Sequence, residues 1–299
     1  MKRLFFAIVV LIVFSPLALR GQQVSHFPYV AVPMYIGSDS EAAEWSALHF
    51  WDSYDFARAE SGYAEEVNRQ GFMSFVRVLY EVPVAMWAKA VDAMMSGAAV
   101  NEEGYWLFLE VAETVLYDPS SPWRNDLLWE RFLRHAVGSR SPLDAPSRER
   151  YISMLKLVER NQRGSVAADF AYTLADGRTG RLHKINAPFT LLFFYNPGCS
   201  ECVHTKEVLH STGLLDGLRS RGVLKVLALY PDGEVDEWRK SVGENPEWWI
   251  TAHDKGMVIN TQELYDLKAI PTLYLLDSQK RVVLKDPTLE ELIGLLERL

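Results

Sequence analysis

Phe193-Phe194-Tyr195-Asn196-Pro197-Gly198-Cys199-Ser200-Glu201-Cys202 is the stretch on which the reading of this 299-residue chain turns. It closes an unbroken apolar run that starts at Phe189, and such a run reads as a buried β-strand. Pro197-Gly198 makes a sharp turn that presents the first sulfur, and a helix is expected from about Cys202 to Arg221. Cys199 and Cys202 are the chain's only cysteines. At a helix N-terminus the free N–H groups and the helix dipole favour a thiolate, which is the nucleophilic form of cysteine. A second thiol one turn further on can resolve a mixed disulfide.

Other uses of such a pair carry different requirements. A structural disulfide across so short a loop removes little entropy from the unfolded chain and makes a poor staple. A zinc site normally takes four ligands, and His204 and His210 lie on the same helix, where they are badly placed to complete a tetrahedron with both sulfurs. Covalent haem attachment needs a histidine directly after the second cysteine, where Val203 stands.

Outward from this stretch, the C-terminal half alternates strands with helices. Phe170 to Leu174, Asp176-Gly177 and Arg181 to Ile185 read as a hairpin with a tight turn. Strands are expected at Val223 to Leu229, Trp248 to Thr251, Thr272 to Leu276 and Arg281 to Leu284. Helices are expected around Val235 to Val242, near Thr261 to Leu267, and from about Thr288. That alternation indicates an α/β sheet ending in a hairpin and a helix.

Before Arg163-Gly164 the pattern is helical. Phe72, Phe75, Val76 and Leu79 recur at helical spacing, as do Met86, Ala90, Val91 and Met94. Asn101 is a good N-cap with Glu102 and Glu103 behind it. Asp118-Pro119-Ser120-Ser121-Pro122 is a stop. Further segments run from about Asp126 to Val137 and from Pro146 through Val158. Residues 24–163 are therefore expected to form an all-helical domain and residues 164–299 a mixed-sheet α/β domain. Trp51, Tyr54 and Phe56 read as core or interdomain packing. His49, His135, His183 and His253 read as hydrogen-bonded histidines rather than metal ligands.

Residues 1–23 differ from the rest. Lys2 and Arg3 precede an apolar run from Leu4 to Phe14, which Ser15-Pro16 breaks and Gly21 follows. This is the layout of a cleaved secretory signal peptide. At 1.5 Å per residue the run falls short of a hydrocarbon core of roughly 30 Å. The expectation is an exported, periplasmic or otherwise extracytoplasmic protein without stable membrane insertion after cleavage. A formal charge of −8 argues against a nucleic-acid partner. Hydrophobic residues at 48% and charged residues at 23% suffice for an ordinary globular core.

The decisive stretch, with Ala269-Ile270-Pro271-Thr272-Leu273-Tyr274 about seventy residues later, resembles the thioredoxin-like fold. It is most similar to the TlpA/ResA-type branch of extracytoplasmic thiol–disulfide oxidoreductases. The resemblance covers about residues 165–299. It implies that Cys199 attacks, that Cys202 resolves, and that Pro271 is a cis-proline beside the pair where substrate backbone docks. Read alone, Pro271 also fits a trans proline at a strand start. No cofactor is implied, and the partners are protein disulfides or dithiols and an upstream thiol electron donor.

Three family features are missing. Gly198 stands where tryptophan is common, Phe193 where thioredoxins carry a buried acid, and Thr205 where the ResA-type branch has glutamate. Glu201 beside Cys199 favours the protonated thiol and so argues against a strongly oxidising couple. The expected activity is disulfide reduction; the competing reading is a non-catalytic redox-sensing or partner-binding protein. Leu48-His49-Phe50-Trp51-Asp52-Ser53-Tyr54-Asp55-Phe56 resembles the opening of a helical domain of unknown function found before thioredoxin-like modules, which implies no activity.

Overall fold

The computed structural model describes residues 24–299. The signal-peptide expectation concerns residues 1–23 and lies outside the described residues. Among the described residues no helix is long and apolar enough to cross a membrane.

Six helices come first: α1 (Asp39–His49), α2 (Glu65–Tyr80), α3 (Val84–Ala98), α4 (Glu102–Leu116), α5 (Asp126–Val137) and α6 (Ala145–Val158). Side-chain caps open several of them. Asn101 accepts from the Glu103 amide, Asn125 from that of Leu128, and Asp144 from that of Ser147. Each cap satisfies a backbone donor that the helix start leaves free. The apolar stripes of α2 to α5 meet in one core that includes Phe72, Phe75, Met94, Phe108, Trp129 and Phe132, all fully buried. Trp51, Tyr54 and Phe56 join it as aromatic packing. Phe27 sits against Phe50, Trp51 and Tyr54, and a Cβ on Gly71 of α2 would overlap its ring, so glycine permits that approach.

α1 has no counterpart in the apolar periodicity. Ala47 is its one buried residue, and Ser38 caps it by accepting from the Glu41 amide. A helix that buries so little leaves no stripe to read.

A seven-stranded sheet follows, built from β1 (Ala171–Leu174), β2 (Thr179–Arg181), β3 (Phe189–Phe194), β4 (Leu224–Tyr230), β5 (Ile250–His253), β6 (Thr272–Leu276) and β7 (Val282–Lys285). Its order is β2-β1-β5-β4-β3-β6-β7. β3, β4 and β5 run parallel, while β6 is antiparallel to β3. Helices α7 (Ser200–Ser211), α8 (Leu214–Ser220), α9 (Val235–Ser241), α10 (Val258–Thr261) and α11 (Leu289–Leu296) connect and cover the strands. Side chains of a strand alternate between faces. Leu191 and Phe193 accordingly enter one core with Leu209, Trp238 and Leu292, and Leu192 and Phe194 enter another with Phe170, Ile259 and Tyr265.

Two expected helices are corrected. The single helix from Cys202 to Arg221 is two helices, broken where Gly213 takes a left-handed φ of 66°. The helix placed at Thr261 to Leu267 ends at Thr261 instead. The buried Asp254 carboxylate accepts from the Gly256 and Ile259 amides and fixes its start early. The hairpin's second strand is also short, because residues Leu182–Lys184 form a 3-10 turn.

Buried charges join the helical region to the sheet region. The Lys268 ammonium lies 2.6 Å from Asp126 Oδ1, 3.7 Å from Asp266 Oδ2 and 3.6 Å from Asp286 Oδ2. Lys285 Nζ lies 2.9 Å from Asp126 Oδ2 and donates to the Val158 carbonyl at 2.7 Å. Tyr117 donates to Asp266 Oδ1 at 2.9 Å, and Arg124 Nε lies 3.8 Å from Asp286 Oδ2. Both lysine side chains are almost wholly withdrawn from solvent. Burial opposes the charge on Asp126, yet Lys268 and Lys285 hold its carboxyl below the usual range. Burial pushes Asp266 and Asp286 the other way.

Candidate active site

β3 delivers the cysteine pair. It ends at Phe194, and the chain turns through Tyr195-Asn196-Pro197-Gly198 before α7 begins at Ser200. Gly198 has a φ of 71°, a conformation that favours glycine, and no atom lies near its missing Cβ. This turn places Cys199 at the N-cap of α7. The two sulfurs are bonded as a disulfide, with Cα atoms 5.2 Å apart. Cys199 is half-buried, whereas Cys202 is only 1% exposed, so an incoming molecule can reach the first sulfur alone. Cys199 Sγ accepts from the Cys202 amide at 3.1 Å. A backbone donor aimed at that sulfur, at the positive end of a helix, stabilises negative charge on it.

The antiparallel ladder of β3 and β6 brings the second motif alongside. Thr272 pairs with Phe194, so the end of β3 and the start of β6 share one edge of the sheet. Pro271 follows a cis peptide bond from Ile270. The Ile270 carbonyl oxygen lies 3.7 Å from Cys199 Sγ. Cys199, Cys202 and Pro271 thus meet, although Cys199 and Ile270 are 71 positions apart.

Apolar and aromatic groups fill the space behind the pair. Phe193 is fully buried and stacks on Tyr195 with ring centroids 5.8 Å apart. Tyr195 accepts from Trp238 Nε1 at 3.0 Å. Thr205 is buried and supplies no carboxylate. Lys206, a further turn along α7, is a residue that sequence reasoning passed over. Its ammonium lies 5.9 Å from the Tyr195 ring centroid and 3.3 Å from Asn245 Oδ1, and burial lowers its pKa. Its spacing of four from Cys202 was the available signal. Glu201 is exposed.

Three of the four histidines have ordinary polar partners, whereas the expected hydrogen bond of His253 is not formed and its buried Nδ1 has no partner. His49 pairs with Asp52 at 2.7 Å, His135 Nδ1 lies 2.8 Å from the Tyr105 hydroxyl, and His183 Nε2 lies 2.8 Å from the Ala167 carbonyl. His253 packs on Trp238 at 4.5 Å between centroids.

A solved structure shares the fold over nearly its whole length. The crystal structure of a thioredoxin-like protein from Bacteroides caccae superposes with a TM-score of 0.87 at 34% identity, covering 92% of this chain and 99% of that one. The chain belongs to the thioredoxin-like proteins. Its first half matches a domain of unknown function, DUF5106, over residues 18–161. The C-terminal domain of an uncharacterized protein from Bacteroides fragilis is 44% identical, covering 46% of this chain and 98% of that one with a TM-score of 0.45. A conserved protein of unknown function from Bacteroides fragilis is 40% identical, covering 45% of this chain and 98% of that one with a TM-score of 0.44. No curated protein matches the chain. This thioredoxin-like chain therefore pairs a helical domain of unassigned role with a redox-capable dithiol–disulfide pair.

Proposed function

We propose that this thioredoxin-like chain is an exported thiol–disulfide oxidoreductase that reduces disulfides in proteins of the cell envelope. The observation that carries the reading is the half-buried Cys199 sulfur. It caps α7, accepts from the Cys202 amide, and faces the Ile270-Pro271 bond. In the reduced form, the Cys199 thiolate attacks one sulfur of a substrate disulfide. A mixed disulfide forms, and the other substrate sulfur leaves as a thiolate that takes up a proton. Cys202 then loses its proton and attacks Cys199 Sγ. This restores the Cys199–Cys202 disulfide and releases the second substrate thiolate. Two electrons pass from the pair to the substrate, and an upstream dithiol returns them.

The neighbours of Cys199 favour reduction over oxidation. Strong oxidants of this kind stabilise their reduced form. Here Glu201 and the Ile270 carbonyl both oppose a thiolate at Cys199, against the helix terminus that favours it. Periplasmic or other extracytoplasmic location rests on the N-terminal signal-peptide pattern. A redox-sensing or partner-binding role is favoured by the apolar surroundings of the pair, since Phe193 and Thr205 supply no carboxylate to carry a proton.

Insulin reduction by dithiothreitol, with Cys199→Ala as control, separates the two readings. A catalyst accelerates the reaction and the variant returns it to background. Equal inertness of both proteins sinks the enzyme. A couple of about −270 mV marks a reductase and one of about −120 mV an oxidant.

A further inference from the structure

The Ile270 carbonyl, which precedes Pro271, lies 3.7 Å from Cys199 Sγ, and the chain just before it is anchored in the other half of the molecule. Lys268 lies two residues before Ile270. Its ammonium is held by Asp126, the first residue of α5, and by Asp266 and Asp286. Tyr117, close to the end of α4, holds Asp266 and lies under the Lys268 ammonium at 4.9 Å from its ring centroid. A further contact grips the same loop, since Asn161 Nδ2 donates to the Leu264 carbonyl at 2.9 Å, and on the neighbouring strand β7 Lys285 reaches the Val158 carbonyl. Residues 262–271 contain no helix or strand. The segment that carries the cis-proline is therefore held mainly by side chains, and a charged anchor among them comes from the helical region.

We propose that Asp126 and Lys268 form an interdomain clamp that positions the Ile270-Pro271 loop against Cys199, so that the helical region tunes the reactivity of the redox pair. The inference rests on the reductase reading for its biological use, but the clamp acts on Cys199 whether or not a protein substrate is known. Lys268 and Asp126 are positioning residues, since neither touches the sulfurs. Holding the Ile270 carbonyl near Cys199 gives the reduced thiol an acceptor, which favours S–H over the thiolate. Holding Pro271 in place keeps the substrate-docking edge formed. Releasing the clamp has opposite consequences for these two properties. The isolated thiol becomes easier to ionise, while exchange with a protein disulfide becomes poorer.

Asp126→Asn in the full chain tests this, with Tyr117→Phe as a milder variant that removes the hydroxyl holding Asp266 and no charge. The measurements are the pH profile of Cys199 alkylation by iodoacetamide in the reduced protein, and KM and kcat for insulin reduction. The expected result is alkylation about threefold to tenfold faster near neutral pH and a KM raised by a similar factor, with smaller changes of the same sign in Tyr117→Phe. A merely structural role lowers the melting temperature without moving the alkylation profile, and that result overturns the clamp. If Asp126→Asn does not fold, Tyr117→Phe decides by the same criterion. If the wild-type chain fails to reduce insulin, the enzyme reading fails alone, and the alkylation profile still judges the clamp.

Discussion

The two halves of this molecule use their side chains in opposite ways. In the helical region most of the large aromatic residues turn inward to a single core, and Phe108, Trp129 and Phe132 are fully buried in it. In the thioredoxin-like region two cores sandwich the sheet, and the reactive groups stand where strands end: Cys199 after β3 and Pro271 before β6. Packing follows periodicity, whereas chemistry is placed at chain reversals that periodicity does not describe. A region can therefore be easy to fold on paper and silent about its role, as the helical region is.

The largest way to break this contrast is a cavity in the helical core. Trp129→Ala removes a fully buried side chain, and about 3–5 kcal/mol of stability should be lost. Denaturant melts followed by far-ultraviolet circular dichroism measure it. Because buried ion pairs tie the two regions together, a single cooperative transition should shift as a whole. Separate unfolding of the helical region, with the cysteine pair still in a native sheet, would break the picture of two coupled regions.

The legibility of the sequence follows the same division. α2 to α5 announce themselves because each presents an apolar stripe to a shared core, and Asn101 and the segment from Asp126 to Val137 stand where the pattern places them. α1 is illegible because it buries only Ala47. The break at Gly213 is hidden because apolar residues continue on both sides of it. The loop before Pro271 reads as helix because its apolar residues, Leu264, Tyr265 and Leu267, follow helical spacing, while tertiary contacts from Asn161 and Tyr117 hold it irregular. At the candidate site, the cysteine spacing and the distance to Pro271 were both readable from the family resemblance. The Asp126–Lys268 pair was not, since partners 142 positions apart leave no local pattern.

A smaller effect compares helix starts in the two regions. Asn101 caps α4 through one backbone amide, whereas Thr288 and Glu291 cap α11 reciprocally. Asn101→Ala and Thr288→Ala should each cost about 1 kcal/mol. If the regions are coupled, both substitutions lower the same transition, and the double variant is additive because the sites share no partners. A Thr288→Ala loss that leaves the helical transition untouched would argue that the regions melt independently.

The smallest expected effect concerns protons, and it separates the regions most finely. Burial lowers the pKa of His135 in the helical region and of His253 in the sheet region, so both bind a proton less readily in the folded protein than in the unfolded chain. In the unfolded chain an ordinary histidine takes up a proton near pH about 6.5. Below that value the unfolded state binds more protons than the folded one, so stability is full above it and declines as pH falls towards the folded values. Asp126 acts lower on the scale in the same sense. Its lysine partners outweigh burial and hold it below the ordinary carboxylate range, so its contribution is present above about pH 3.9 and is lost as pH falls through its folded value. Urea melts at pH 7.5 and 5.5 should therefore differ, with the lower midpoint at pH 5.5. His135→Gln removes the helical contribution; because the raised carboxyls of Asp266 and Asp286 act in the opposite sense, the His253 share is read as the further change that His253→Gln makes. A pH difference in midpoint that neither His135→Gln nor His253→Gln changes would show that burial does not lower the pKa of these two histidines.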